Sequence, residues 1–221
     1  MSQEATIRAI VFDLGRVLID VDPAETPRRW ARALGGGEDQ VVEALAGDTM
    51  YRRLERGQIS VRQYHQHMMA RLERSISYED FLDGWNAMIG PVLPHVVSLL
   101  RTLSDSVRLV CLTNTNDAHA VKWRRTGKDI LSFFERVFVS HEMGARKPEN
   151  ECFQQVLDYL ALEPGEVLVV DDKASNVEAA QRMGMKGIVT SGPVDTITQL
   201  RELGLPVPGP APIDSAARAD S

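Results

Sequence analysis

Short apolar runs alternate with stretches of helical periodicity along most of the chain, and this alternation constrains the fold more than any other feature. The apolar runs cover residues 7–12, 108–112, 136–140, 167–170 and 187–190. Continuous apolar runs of this length are typical of parallel strands that are covered on both faces. Helical spacing lies between them, at about residues 94–104, 118–127, 148–161 and 176–184. The pattern predicts an α/β fold, a Rossmann-like doubly wound parallel sheet with helices on both faces.

The segment from residue 23 to residue 89 has a different pattern, with helical spacing and no convincing strand. Candidate helices cover residues 24–34, 39–46, 61–74 and 78–88. Because ligands bind at the carboxyl ends of the strands in such sheets, a helical insertion after the first strand is expected to lie above the ligand site. We therefore predict an α/β core of residues 1–18 and 91–204, an inserted α-helical cap of residues 19–90, and a flexible C-terminal tail of residues 205–221.

Charge and apolar content narrow the classes of partner. The net charge of −6 over 221 residues argues against nucleic acid and against an anionic membrane, since both favour basic patches. The sequence shows no signal-peptide pattern and no apolar stretch of membrane-spanning length, so a cytoplasmic location is expected. A small anionic substrate is compatible with this charge. The sequence leaves open whether the protein is a monomer or a homodimer.

Polar residues follow the predicted strands in a set order along the chain. They are Asp13, Thr113 with Asn114, Lys147, and Asp171 with Asp172. Because the carboxyl ends of parallel strands meet at one edge of a sheet, we expect these groups to form one site. A carboxylate nucleophile, a hydroxyl with an amide, an ammonium group and a pair of acidic metal ligands are the groups that phosphoryl transfer uses.

Each of these groups has an expected role. Asp13 would attack phosphorus in line, and Thr113 with Asn114 would hydrogen-bond the phosphate oxygens. Lys147 precedes Pro148, which suits the first position of a helix, so its ammonium group would lie where the helix N-terminus already favours an anion. Three carboxylates that face a phosphate dianion repel it and one another, so the set requires a divalent cation. Mg²⁺ is the hard ion that prefers oxygen ligands.

Taken together, these motifs resemble those of the haloacid dehalogenase-like hydrolase superfamily. The matching stretches are residues 12–15, 55–60, 84–85, 113–116, 143–149 and 171–172. The helical insertion is similar to the α-helical cap of that family, and the whole is most similar to small bacterial sugar-phosphate phosphatases of the α-D-glucose 1-phosphate phosphatase type. The resemblance implies a phosphatase for a small phosphorylated metabolite, in which Asp13 becomes an aspartyl phosphate. It also implies that Thr113 and Lys147 hold the phosphate.

Gly15 departs from the family pattern, which has a second aspartate at this position to protonate the leaving group and then activate water. The resemblance implies that Mg²⁺ is held by Asp13, the backbone carbonyl of Gly15, Asp171 and Asp172, but a carbonyl cannot exchange that proton. General acid–base catalysis contributes roughly 10²- to 10⁴-fold. We therefore expect substrates whose leaving group needs little protonation, such as anomeric sugar phosphates or acyl phosphates.

Substitutes for the missing acid are conceivable, and two alternative functions stay open. Asp20 and Asp22, a cap residue or ordered water could replace the acid, although ordinary loop positions explain both aspartates better. A 2-haloacid dehalogenase uses an aspartate nucleophile without a second aspartate and without a metal, which the pair of Asp171 and Asp172 argues against. A binding or regulatory protein that has lost efficient catalysis is the other alternative, and Gly15 is its main support.

Overall fold

A computed structural model describes residues 6–209 of the chain. The strands are β1 (Ala9–Phe12), β2 (Ile19–Val21), β3 (Ile89–Val92), β4 (Arg108–Thr113), β5 (Arg136–Val139), β6 (Val167–Asp171) and β7 (Lys186–Val189). The helices are α1 (Glu25–Leu34), α2 (Glu38–Leu45), α3 (Thr49–Glu55), α4 (Val61–Leu72), α5 (Tyr78–Asn86), α6 (Val96–Ser104), α7 (Asp117–Thr126), α8 (Lys128–Leu131), α9 (Ser140–Met143), α10 (Asn150–Leu160), α11 (Ala174–Arg182) and α12 (Pro193–Glu202). A 3₁₀ turn, Pro164–Glu166, precedes β6.

Five of the strands form one parallel sheet in the order β5-β4-β1-β6-β7. Successive residues of a strand point to opposite faces, and β1 shows what each face buries. Ile10 and Phe12 belong to one buried apolar cluster, and Ala9 and Val11 belong to a second cluster on the other face. The sheet is therefore covered on both sides by helices, and the predicted α/β doubly wound fold is confirmed.

A short antiparallel pair, β2 and β3, lies at the two ends of the helical insertion. We predicted no strand between residues 23 and 89, so β3, which begins at Ile89, is a difference from the expectation. Both strands have only three or four residues, and β3 contains Gly90 and Pro91, which ordinarily interrupt strands. The pair holds together the two segments through which the chain leaves the core after β1 and returns to it after α5.

The helices α1 to α5 bury an aromatic cluster of their own. Trp30 stacks on Phe81 with a distance of 4.6 Å between ring centroids and on Trp85 at 5.5 Å. The Trp30 indole N–H donates a hydrogen bond to the carbonyl oxygen of Phe81. The insertion thus has an apolar core distinct from the two clusters of the sheet. The boundaries at residues 18/19 and 90/91 stay a prediction.

Some sequence-predicted elements differ in their bounds. Helix α3 was not predicted; Asp48 begins it, accepting a hydrogen bond from the backbone N–H of Met50. Helix α10 begins at Asn150, so Pro148 lies in the preceding loop and not at the first helical position. The Lys147–Pro148 peptide bond is cis.

Two terminal features complete the fold. Leu205 and Val207 pack against the first cluster of the sheet, so the packed part of the chain extends into the tail predicted for residues 205–221. Residues 210–221 of that tail lie outside the described residues. None of the helices in residues 6–209 has the length and apolarity needed to cross a bilayer.

Candidate active site

The predicted polar residues meet at the carboxyl ends of β1, β4 and β6, beside a cavity of about 250 Å³. The register of the sheet brings this about, because Phe12 of β1 lies level with Cys111 of β4 and with Val170 of β6. The next residues along these strands therefore emerge at the same edge. The cavity is lined at this edge by Asp13, Gly15, Thr113, Asn114, Lys147 and Asp172.

Lys147 lies between two carboxylates. Its Nζ is 2.7 Å from Oδ1 of Asp13 and 2.6 Å from Oδ2 of Asp171, and only 2% of its side chain is exposed. Burial opposes the charged ammonium group, but the two carboxylates outweigh burial and hold the pKa of Lys147 above its usual value. The lysine is therefore a fixed positive charge beside Asp13.

Lys147 does not fully compensate for the burial of Asp13 and for the nearby charge of Asp171. Burial raises the pKa of Asp13 to about 6, Asp171 adds to the rise, and Lys147 offsets only part of it. The backbone N–H of Asp13 donates to the carbonyl oxygen of Val170, which ties the end of β1 to β6. A further cation beside Asp13 would favour its ionised form.

Asp171 and Asp172 differ in their surroundings. Asp171 is fully buried, and both its oxygens are engaged: Oδ1 accepts from the Lys173 backbone N–H and the Asn176 side chain, and Oδ2 accepts from Lys147. Asp172 instead faces the cavity, where its carboxylate lies 3.6 Å from Arg16. Of the two, Asp172 has the carboxylate that is open to a ligand.

Asn114 has a different contact from the one predicted. Its Nδ2 donates to the carbonyl oxygen of Lys147 at 2.9 Å, and its Oδ1 accepts from the backbone N–H of Lys147 at 2.8 Å. Both polar atoms of the amide are thus used to hold the loop that carries the lysine. Asn114 also lines the cavity, so the expectation that it binds phosphate stays a prediction, and Thr113 is the neighbouring lining residue that has a hydroxyl.

The candidate substitutes for the missing acid near Gly15 lie elsewhere. Asp20 is exposed and Asp22 binds the backbone N–H of Ala24 and the guanidinium group of Arg28. Neither aspartate lines the cavity. These two carboxylates are therefore not placed to exchange a proton with a substrate there.

Several residues of the cavity wall could not be found from the sequence. They are Ile19, Val21, Tyr51, Met88, Ile89 and Trp123. They come from β2, α3, β3, α7 and the turn before β3, and no spacing in the sequence relates them. Glu55 also lines the cavity and belongs to the stretch of residues 55–60 that carried part of the family resemblance.

Ion pairs connect the helical insertion to the loop that carries Lys147. Nε of Arg146 lies 2.6 Å from Oε2 of Glu55, and the guanidinium group of Arg56 binds Glu149. The paired residues on the loop therefore flank Lys147 on both sides. We call this set of four residues the cap clamp.

The cap clamp is expected to support phosphate binding. Glu55 is buried, so Glu55→Gln removes the counter-charge of Arg146 and should lower the free energy of unfolding by roughly 1–3 kcal/mol. It should also raise KM several-fold, because the loop that carries Lys147 loses a tether. Urea denaturation and steady-state kinetics measure both effects. The exposed Glu43→Gln is the matched control, and equal behaviour of the two variants would refute the role of the clamp.

The His119 side chain connects α7 to the helical insertion. Its Nε2 lies 2.9 Å from the carbonyl oxygen of Trp85, its Nδ1 lies 3.0 Å from the Asn116 amide nitrogen, and its ring stacks on Trp85. Burial lowers the pKa of His119 to about 4. The imidazole is thus committed to structural contacts and stays uncharged at neutral pH.

Acidification should therefore destabilise the protein through His119. The unfolded chain binds a proton near pH 6.5 and the folded protein only near pH 4, so stability is lost as pH falls through this window. Between pH 7 and pH 5 the free energy of unfolding should fall by about 2 kcal/mol more in the wild type than in His119→Gln. Urea titrations at the two pH values measure the difference. An equal fall in both proteins would show that His119 does not titrate this way.

Comparisons with known proteins agree with this geometry. The family model described as haloacid dehalogenase-like hydrolase matches residues 7–184. The chain is 23% identical to D-ribitol-5-phosphate phosphatase of Bacteroides thetaiotaomicron, over 81% of this chain and 90% of the relative. It is 27% identical to the sesquiterpene phosphatase astK of Aspergillus oryzae, over 90% of this chain and 97% of the relative.

A solved structure has the same fold. It is a mutant form of an enzyme of the same family from Bacteroides thetaiotaomicron, in complex with magnesium and inorganic phosphate. The TM-score is 0.74 at 24% sequence identity, and the match covers 83% of this chain and 93% of the other. At this identity the likeness establishes the fold alone.

Proposed function

Because the chain belongs to the haloacid dehalogenase-like hydrolase family, we propose that it is a Mg²⁺-dependent phosphatase that hydrolyses a small phosphorylated metabolite. The observation that carries the proposal is the position of Asp13, whose carboxylate faces the cavity 2.7 Å from the buried ammonium group of Lys147. A carboxylate beside a fixed cation is placed both to attack phosphorus and to receive an anionic phosphate group. The named relatives are phosphatases, which supports the same reaction class.

The donor set fits Mg²⁺. Within residues 6–209, Asp13, Asp171 and Asp172 each offer an oxygen atom, and these atoms lie within 4.8 Å of one another. Because Lys147, Lys173 and Asn176 already engage Asp171, the groups that would hold the ion directly are Asp13, Asp172 and the backbone carbonyl of Gly15, and Asp171 adds negative charge close to them. When bound, the ion neutralises charge on the phosphate oxygens and so favours attack at phosphorus.

The reaction then runs through Asp13 in two displacements. The Asp13 carboxylate attacks phosphorus in line, a bond forms between its Oδ and phosphorus, and the ester oxygen leaves with the electron pair of the bond that breaks. Water next attacks the phosphorus of the aspartyl phosphate, which releases inorganic phosphate and restores the carboxylate. Thr113 and Lys147 hold the phosphate oxygens throughout.

The leaving oxygen receives little help from acidic groups of the wall. Gly15 has no side chain to donate a proton, and burial beside Glu55 raises the pKa of the Tyr51 hydroxyl well above its usual value. Glu55 is paired with Arg146, and His119 uses both ring nitrogens. The site is therefore suited to esters whose leaving group is stable as an anion.

Phosphate release with and without Mg²⁺ tests the proposed function. A panel of phosphorylated metabolites should be hydrolysed with Mg²⁺, EDTA should lower the rate at least about 100-fold, and added Mg²⁺ should restore it. Asp172→Asn should raise the Mg²⁺ concentration needed for half-maximal rate, whereas the exposed Asp105→Asn should not.

Two results would contradict the proposal. Halide release from 2-haloacids that EDTA leaves unchanged would indicate a dehalogenase, which needs no metal. Phosphate binding without turnover of any ester, aryl phosphates included, would indicate a binding protein that has lost catalysis.

A further inference from the structure

The cavity wall beyond the phosphate-binding residues is mostly apolar. Val21 of β2 and Ile89 of β3 are paired in the short antiparallel sheet, and both line the cavity with Met88. Ile19 and Trp123 line it as well, and they are buried in the first cluster of the sheet. The short sheet thus presents an anchored apolar surface to the organic part of a substrate.

Four polar side chains next to this apolar surface, Thr115, Tyr51, Glu55 and His119, already have partners in the protein. Thr115 accepts a hydrogen bond from the Trp123 indole N–H at 3.2 Å. Tyr51 lies beside Glu55, whose charge helps to raise the pKa of the phenol; Glu55 accepts from Arg146, and both nitrogens of the His119 ring have partners. Sugar or polyol hydroxyls buried here would have to break such bonds or lose their own partners, at a cost of roughly tenfold in affinity for each hydroxyl.

The size of the cavity limits the organic group. At about 250 Å³ the space lies below the range of roughly 300–1,000 Å³ typical of small-molecule sites. A phosphate group and one six-membered ring are therefore a better match than a nucleoside or a long terpenoid chain.

Gly15 faces the same apolar wall. A Cβ atom built on Gly15 would lie 3.2 Å from Cγ2 of Val21, so the direction in which a side chain would extend is occupied by an apolar group. An ester oxygen that leaves towards Val21 meets an apolar side chain, and neither Gly15 nor Val21 can give it a proton. A phenolate, whose conjugate acid has a pKa of about 10, leaves far more readily there than an alkoxide, whose conjugate acid resembles water at about 16.

We propose that the substrate is a compact aryl phosphate, the phosphate monoester of a small phenol. The inference rests on the proposed phosphatase function and deepens it. The ring packs against Val21, Met88 and Ile89, and the bond between phosphorus and the phenolic oxygen breaks as Asp13 attacks. The phenolate leaves with the electron pair and takes up a proton from solvent, and water then releases phosphate from Asp13.

Four substrates separate the two features on which the inference depends. Phenyl phosphate has an apolar organic group and a good leaving group, because phenol is a fairly strong acid. Cyclohexyl phosphate has an apolar organic group and a poor leaving group. Glucose 1-phosphate has a polar organic group and leaves through its activated anomeric oxygen. Glucose 6-phosphate has a polar organic group and a poor leaving group. With the Mg²⁺-loaded enzyme, phenyl phosphate should give the highest kcat/KM. Cyclohexyl phosphate should lose at least about 100-fold, mainly in kcat, because of its leaving group.

The two glucose esters test whether the apolar cavity wall disfavours a polar organic group. Glucose 1-phosphate should lose at least about tenfold relative to phenyl phosphate, mainly through a higher KM, because its hydroxyls lack partners. Glucose 6-phosphate should be the poorest of the four. A glucose ester with a kcat/KM equal to or above that of phenyl phosphate would overturn the aryl preference and leave the phosphatase function standing.

A matched pair of variants tests the wall directly. Met88→Gln places a polar amide of similar length at the apolar surface and should raise KM for phenyl phosphate several-fold. Met88→Leu keeps the surface apolar and should raise KM less than Met88→Gln does. Equal KM values for the two variants would overturn the assignment of this wall to the ring. Release of phosphate from none of the four esters would overturn this inference, whereas failure with the whole panel of phosphorylated metabolites would overturn the phosphatase function as well.

Discussion

Asp13→Asn is expected to lower kcat by at least about 10⁴-fold with every substrate that the wild type turns over, because loss of a covalent nucleophile leaves only binding and electrostatic stabilisation. The amide cannot form an acyl phosphate. Asparagine is close in shape to aspartate, and the carboxylate that it replaces is buried with a raised pKa, so the fold should survive. Continuous phosphate-release kinetics and circular dichroism measure the two effects.

Asp20→Asn is the matched control for this experiment. Asp20 lies seven residues further along the chain, is exposed and does not line the cavity. Its replacement should leave kcat within twofold of the wild type. An Asp13→Asn protein with wild-type turnover would remove Asp13 from the reaction.

Lys147→Met should reduce both activity and stability. Methionine keeps most of the side-chain volume and removes the charge, which leaves the carboxylates of Asp13 and Asp171 buried without their shared partner. Removing one member of a buried ion pair costs about 3–5 kcal/mol, and loss of the phosphate-binding cation should lower kcat/KM by roughly 10³-fold. Urea denaturation and steady-state kinetics measure both.

The pH dependence of the Lys147→Met protein gives an independent check. Without the ammonium group the pKa of Asp13, already raised in the folded wild type, rises further above its unfolded value, so the folded variant binds more protons and its stability falls as pH rises. The variant should therefore lose less stability relative to the wild type at pH 5 than at pH 8. The exposed Lys128→Met should resemble the wild type at both pH values. Full stability of Lys147→Met at pH 8 would contradict the account of the buried cation.

The core sheet could be predicted because its strands are buried on both faces. Such strands are continuous apolar runs, and Val167–Asp171 is buried at every position. The order of Asp13, Thr113 and Asp171 followed from the same runs, since each residue ends or directly follows its strand. Topology alone then brings them to one edge, which is why the site could be placed before any coordinates were known.

The remaining features depend on contacts that sequence spacing does not show. The Asn114 side chain binds the backbone of Lys147, which is 33 residues away in the chain. The sequence alone does not distinguish this asparagine from other polar residues that follow a strand. The strands β2 and β3 are too short to show the alternation of apolar and polar residues that identifies a strand. The cavity wall combines residues from the insertion and the sheet, so its apolar character emerges only in three dimensions.

A phosphoryl group trapped on Asp13 would be direct evidence that this carboxylate is the nucleophile. The Mg²⁺-loaded enzyme is mixed with phenyl phosphate, quenched in acid within milliseconds, digested and analysed by mass spectrometry. The account predicts a phosphorylated peptide with the modification on Asp13, formed and lost at rates compatible with turnover. Steady release of phosphate with no phosphorylated Asp13 at any quench time, or with the phosphoryl group on another residue, would contradict it.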